Sequence, residues 1–235
     1  GAIVNNVWKT SQRQWDRNFF VQGTFNKELS TRYQLMVNAK YARDYMRYLN
    51  PDTTLLYLDN RFWQDEIYLS VANKFNLLKD WEANVSVDYQ WNYLNSTLVN
   101  FAYPNRHTTL VALASAYTYR RFEAAASVIY TMVNERSTAR SAGEVMARRS
   151  TWMHKFTPAV FFSYQPIEER DFYLRAFYKR IFRMPTFNDL YYTDIGNASL
   201  NPEYVDQYNI GFQWQTIRAQ GFYRGVRISA DAYYN

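Results

Sequence analysis

Trp81-Glu82-Ala83-Asn84-Val85-Ser86-Val87-Asp88-Tyr89-Gln90-Trp91-Asn92-Tyr93 alternates without a break, with apolar or aromatic side chains at odd positions and polar ones at even positions. A period of two belongs to an extended strand, whose successive side chains point to opposite faces. Length matters as much as pattern. Ordinary strands average about five or six residues, whereas Trp81 to Tyr93, at about 3.3 Å per residue and a tilt of about 40°, rises roughly 30 Å. That is the depth of a membrane. Aromatic rings at both ends suit the two membrane-water boundaries, where one part of a ring is dry and the other wet.

The same alternation runs outward from this stretch in both directions. Upstream, Phe19, Val21, Gly23 and Phe25 share one parity, then Tyr33, Leu35, Val37, Ala39 and Tyr41, then Ile67, Leu69 and Val71. Downstream it returns over Thr109 to Tyr119, Phe122 to Val133, Trp152 to Tyr164, Phe172 to Ile181, Tyr208 to Trp214 and Val226 to Tyr234. The count is about ten strands. Connections alternate short and long: brief turns at Glu28 to Thr31, Leu78 to Asp80 and Arg120-Arg121, against longer loops around Asn50-Pro51-Asp52, Asn100 to His107 and Asn134 to Arg149. In a meander this places all short turns on one side and all long loops on the other, as in outer-membrane barrels with short periplasmic turns and long extracellular loops. The expected fold is all-β, an antiparallel transmembrane β-barrel meander.

Bulk properties agree. Of 235 residues 48% are hydrophobic and 19% aromatic, with 22 Tyr and 7 Trp, yet mean hydropathy is only -0.49 because polar residues dilute the apolar ones. No run approaches the eighteen or so apolar residues of a spanning helix, which excludes helical insertion. The net charge of +6 is spread among acids over strands and loops, so nucleic-acid binding is not expected. The absence of cysteine leaves the redox compartment undecided. Gly1 opens the sequence with no Met, charged n-region or apolar h-region, as mature or truncated material would.

Candidate chemistry is sparse. The only histidines, His107 and His154, are far apart and in no ligand-spaced cluster, so no metal site is expected. There is no Gly-x-Ser-x-Gly elbow, and seven glycines form no phosphate loop. The chain is expected to be no enzyme and to need no cofactor, a barrel-borne hydrolase being the enzymatic alternative. Arg140, Arg148 and Arg149 have two readings: planar forks that grip an anionic substrate at an extracellular mouth, or solvated side chains that meet lipopolysaccharide phosphates.

The longest connection carries a motif. Phe182, Arg183, Pro185, Thr186, Phe187, Asp189, Leu190 and Tyr191 are followed by Gly196, Asn197, Leu200, Pro202 and Glu203, then by Tyr208 and Gly211. In order and spacing it resembles a motif of TonB-dependent outer-membrane receptors. It covers about an eighth of the chain, and the rest agrees in style. Pro185, Gly196-Asn197 and Pro202 mark the segment as a loop, not an element. Within it Tyr191, Tyr192, Asp194 and Asn197 are candidate ligand contacts. Phe182, Pro185 and Leu190 are read as shaping the exit from the strand, and Glu203 as fixing the start of the next.

The resemblance implies a barrel of about 22 strands in the outer membrane of a Gram-negative bacterium. It further implies a plug domain, coupling to the TonB complex through that plug, and import of a scarce nutrient such as an iron-siderophore, haem or cobalamin. On this reading residues 1-235 are a middle piece of the barrel, lacking the plug, the early strands and the closing strands. Outer-membrane lipid and lipopolysaccharide are the expected surroundings. The rival from another class is a passive porin or structural barrel, and a soluble β-sheet binding module is third.

Overall fold

The computed structural model describes residues 12-53, 57-98, 101-139, 147-187, 190, 201-217 and 225-234. It forms one antiparallel sheet of ten strands in sequence order: β1 (Arg13–Ser30), β2 (Tyr33–Asn50), β3 (Leu58–Leu78), β4 (Trp81–Ser96), β5 (Asn105–Tyr119), β6 (Phe122–Ala139), β7 (Ala147–Tyr164), β8 (Asp171–Arg183), β9 (Glu203–Ile217) and β10 (Gly225–Tyr234). The expected meander is present, and no helix among the described residues is long and apolar enough to cross a membrane. Among the described residues β1 pairs only with β2 and β10 only with β9, so their sheet is open.

Strict parity gives the sheet two unlike faces. Phe25, Val37, Val71, Val87 and Val111 lie in one cross-strand row on the outer face, and Leu69, Val71, Val87 and Leu113 are all exposed there. The opposite parity is polar and its residues shield one another: Ser70, Asn92, Arg106, Thr131, Thr157 and Asn209 are buried. The sheet therefore curls about its polar face, as a barrel with a wet lumen must. Aromatic rings flank the apolar band. The Trp81 indole donates to Ser115 Oγ at 2.8 Å near the short-turn end, and the Trp91 indole to Asn105 Oδ1 at 2.8 Å near the other. Each ring thus keeps its polar edge satisfied while its body remains on the apolar face.

The short turns are tied to one another. Asn76 donates from its backbone to Arg32 O, Thr118 to Asp80 O, and Gln165 to Arg121 O, at 2.8, 2.8 and 2.9 Å. Arg120 takes a left-handed conformation (φ 52°) to close β5 onto β6 in two residues.

Several strands extend further than the apolar alternation marks. β1 begins at Arg13, not Phe19, and β9 at Glu203, not Tyr208, because the backbone ladder continues where Arg17 and Asp206 interrupt the apolar row before Trp15 and Tyr204. Arg148 and Arg149, read as loop residues, instead lie in β7 opposite Thr138 and Ser137. One seam is short. β7 pairs with β8 only from Ala159/Lys179 to Tyr164/Leu174. Pro158 stands one residue beyond the last pair, and proline has no N–H to donate to a ladder.

Candidate functional site on the inner face

Beyond the end of β8 the chain turns inward. Pro185 and Phe187 are buried, and the Leu190 amide donates to Thr186 O at 3.1 Å. Phe187 enters a buried cluster with Phe62 of β3, Leu94 of β4 and Phe101 of the β4–β5 connection. Phe101 meets Phe62 edge-on at 6.1 Å and Tyr103 at 5.4 Å, geometries that set positive ring edges against negative faces. Tyr103 holds its place with a left-handed backbone (φ 43°).

A buried arginine fastens this turn to the wall. Arg106 of β5 lies on the inner parity between Asn92 of β4 and Glu135 of β6. Its Nε donates to Glu135 Oε2 at 2.6 Å and its Nη1 to Pro185 O at 2.8 Å, while its Cζ sits 4.8 Å from the Phe187 ring centroid. One guanidinium thus joins two strands to the loop through a charged pair, a carbonyl and a ring face. Lysine, a point charge on a flexible stem, could not hold that planar set together.

Below the turn is a cavity of about 370 Å³ whose polar walls include Gln64, Glu66, Gln90, Asn92, Thr108 and Thr131. Glu66 is held by Lys40 Nζ at 3.2 Å and by Gln90 Nε2 at 2.9 Å. Leu110, Val133, Phe182, Met184 and Phe187 complete the lining, so carboxamides and hydroxyls that donate and accept hydrogen bonds stand beside apolar surface. Among the described residues no three His, Cys, Asp or Glu side chains gather to hold a metal. Both histidines lie on the outer face, where His107 pairs with the Tyr89 hydroxyl at 2.8 Å and His154 with that of Tyr130 at 2.7 Å.

The motif residues divide. Phe182 packs on Tyr204 at 5.3 Å, Arg183 stands opposite Glu203, and Tyr208 lies against Tyr178 at 4.9 Å. Glu203 is the first residue of β9. Asp189, Tyr191, Tyr192, Asp194, Gly196, Asn197 and Leu200 lie outside the described residues, as does Arg140, and for Arg148 and Arg149 only the backbone is described. Reading the sequence missed Arg106, Glu135, Phe62, Leu94 and Phe101. The available signal was that Arg106 continues the inner parity of Thr108, Leu110 and Ala112.

The family described as TonB dependent receptor-like, beta-barrel matches residues 3–235, almost the whole chain. The chain belongs to this family of TonB-dependent receptors. It is a family of receptors, not of enzymes. Among solved structures, the TonB-dependent receptor fold of this chain is similar to the siderophore receptor PiuA from Acinetobacter baumannii, with a TM-score of 0.72 at 11% identity over 96% of this chain and 41% of that one. It is also similar to the copper transporter OprC, with a TM-score of 0.72 at 12% identity over 85% and 35%. The FrpB iron transporter from Neisseria meningitidis has a TM-score of 0.61 at 12% identity over 86% and 34%. The chain therefore spans less than half the length of these structures. Comparison with curated protein sequences finds no match.

Proposed function

We propose that this receptor takes up a scarce, large nutrient, such as an iron-siderophore, haem or cobalamin, across the outer membrane of a Gram-negative bacterium. Energy would come from the TonB complex acting through a plug domain within the barrel. Residues 1-235 would form a middle part of a wall of about 22 strands. The observation that carries the reading is the motif turn, folded inward and fixed by Arg106 above a cavity of mixed polar and apolar lining. A wall that fastens Pro185 and Phe187, where a long connection begins, to its inner face suits a gated, occupied interior better than an open diffusion pore. Support for a larger barrel comes from β1 and β10, each paired on one side only. Unpaired backbone in hydrocarbon costs several kcal/mol per group, so both edges require strands from elsewhere in the protein.

Among the candidate contacts, Tyr191, Tyr192, Asp194 and Asn197 follow the fixed turn in sequence, and Arg140, Arg148 and Arg149 belong to the neighbouring long connection and the start of β7. The reading is tested with cells that carry the full-length receptor as their sole route for iron-chelate, haem or cobalamin. Uptake of one of these should require both the receptor and an energised inner membrane. Uptake of small solutes at a rate independent of energy would instead indicate a porin.

A further inference from the structure

The seam between β7 and β8 stops half-way up the wall. β7 pairs with β6 along all 18 of its residues and β8 with β9 along all 13, yet only six pairs, from Ala159/Lys179 to Tyr164/Leu174, join β7 to β8. At about 3.3 Å per residue and a tilt of about 40°, Pro158 stands roughly 15 Å above Tyr164, near the middle of a hydrocarbon layer about 30 Å thick. Above that level, among the described residues, no ladder joins the edge of β7 to β8. If the register continued, Thr157, Phe156 and Lys155 would stand opposite Ile181, Phe182 and Arg183.

The end of β8 lies elsewhere. By alternation Phe182 shares the outer parity of Tyr178 and Arg180, yet it lines the inner cavity with Arg106 and Thr131. Tyr204, opposite Phe182 on β9, has Lys155 Nζ 5.0 Å from its ring centroid, and Lys155 belongs to the inner parity of β7, opposite Thr131. The corner of β8 and β9 therefore passes on the lumen side of β7. What holds it there is Pro185 on Arg106 and Phe187 in its apolar cluster. A strand edge without a partner is costly in hydrocarbon, so the unmade half of the ladder pulls against that fastening.

We infer that the upper half of the β7–β8 seam is a switch with two positions. With Phe187 seated, the wall is parted above Ala159, and Phe182 and Met184 occupy the side of the cavity. With Phe187 released, Arg180 to Arg183 zip onto Pro158 to Lys155, the wall closes, and Phe182 leaves the cavity for the outer face beside Phe156. The driving force rests on the membrane-spanning reading, but the test does not use transport. It takes the full-length receptor in phospholipid bilayers, with Phe156→Cys and Phe182→Cys as its only cysteines, and follows disulfide formation under mild oxidation by gel mobility. Residues directly opposite on antiparallel strands come close enough to bridge. A second pair, Phe161→Cys with Phe177→Cys, already opposite in the paired half of the seam, should bridge in every background. The Phe156/Phe182 pair should bridge slowly in the otherwise unmodified receptor and several-fold faster with Arg106→Lys. Phe187→Ala should give the same acceleration, and because it spares the Arg106–Glu135 pair it keeps the test readable if Arg106→Lys folds poorly. No bridge at Phe156/Phe182, no acceleration in either background, or failure of the Phe161/Phe177 pair to bridge would overturn the switch. Failure of the import reading would show separately, as uptake that needs no energy.

Discussion

Arg175 Nη2 reaches to within 3.8 Å of Asp231 Oδ1, the two side chains meeting across Gly211 of the strand between them. Gly211 is the last residue of the motif, and its missing side chain is what makes room. A Cβ there would collide with Asp231 Oδ1 and come within 3.0 Å of Ala230 O. The carboxylate can swing aside, but the Ala230 carbonyl belongs to the ladder and cannot. Gly211→Ala should therefore destabilise the full-length receptor by about 1 to 3 kcal/mol, the range for overpacking. Thermal unfolding in detergent measures it, and a double-mutant cycle with Asp231→Ala apportions it. The part of the cost that survives Asp231→Ala belongs to the Ala230 carbonyl, and no cost for Gly211→Ala in either background would contradict the account.

Arg106 should be the least replaceable side chain of the inner face. Removing it leaves Glu135 and the Pro185 carbonyl beside a vacated guanidinium site, and breaking a buried charged pair costs about 3 to 5 kcal/mol. Arg106→Lys keeps the charge but loses the fork, so it should free the turn while leaving the sheet intact. Limited proteolysis of the full-length receptor should then show faster cleavage between Met184 and Pro202 in Arg106→Lys, with cleavage elsewhere unchanged. Unchanged cleavage throughout would show that the turn is held by other contacts.

The two long connections near the motif should face the same compartment. The β6–β7 and β8–β9 connections are separated by two crossings, β7 and β8, and so leave the same edge of the sheet. Ser141→Cys and Asp194→Cys, one in each connection, should both react with a membrane-impermeant thiol reagent on intact cells. Reaction of only one would mean that the strand count between them is wrong.

Much of this wall was legible because a period of two survives wherever one face meets hydrocarbon and the other water. Trp81 to Tyr93 declared both its parity and its length, and β4 runs Trp81–Ser96. Strand ends were less legible where ion pairs replace apolar side chains on the outer face. Arg47 and Asp59 continue the β2–β3 ladder with no hydrophobic signature. The fastening of the motif was not legible at all. Arg106 and Pro185 are far apart in sequence, and local periodicity carries no information about a contact that forms only when the sheet curls. Pro158 was overlooked for a similar reason, since a proline marks the end of a ladder only once the neighbouring strand is known.

The account depends most on the apolar parity facing lipid, and Val87 is the position to ask. It lies midway between Trp81 and Tyr93, in the row formed with Val71 and Val111, whereas its neighbour Ser86 faces inward between Ala72 and Ala112. The decisive measurement is the folding free energy of the full-length receptor in phospholipid bilayers for Val87→Arg and Ser86→Arg. Val87→Arg should cost about 2 to 4 kcal/mol, as expected for a charge at the bilayer midplane, and Ser86→Arg less than about 1 kcal/mol, as expected in a wet lumen. Equal costs at the two positions, or the larger cost at Ser86, would contradict it.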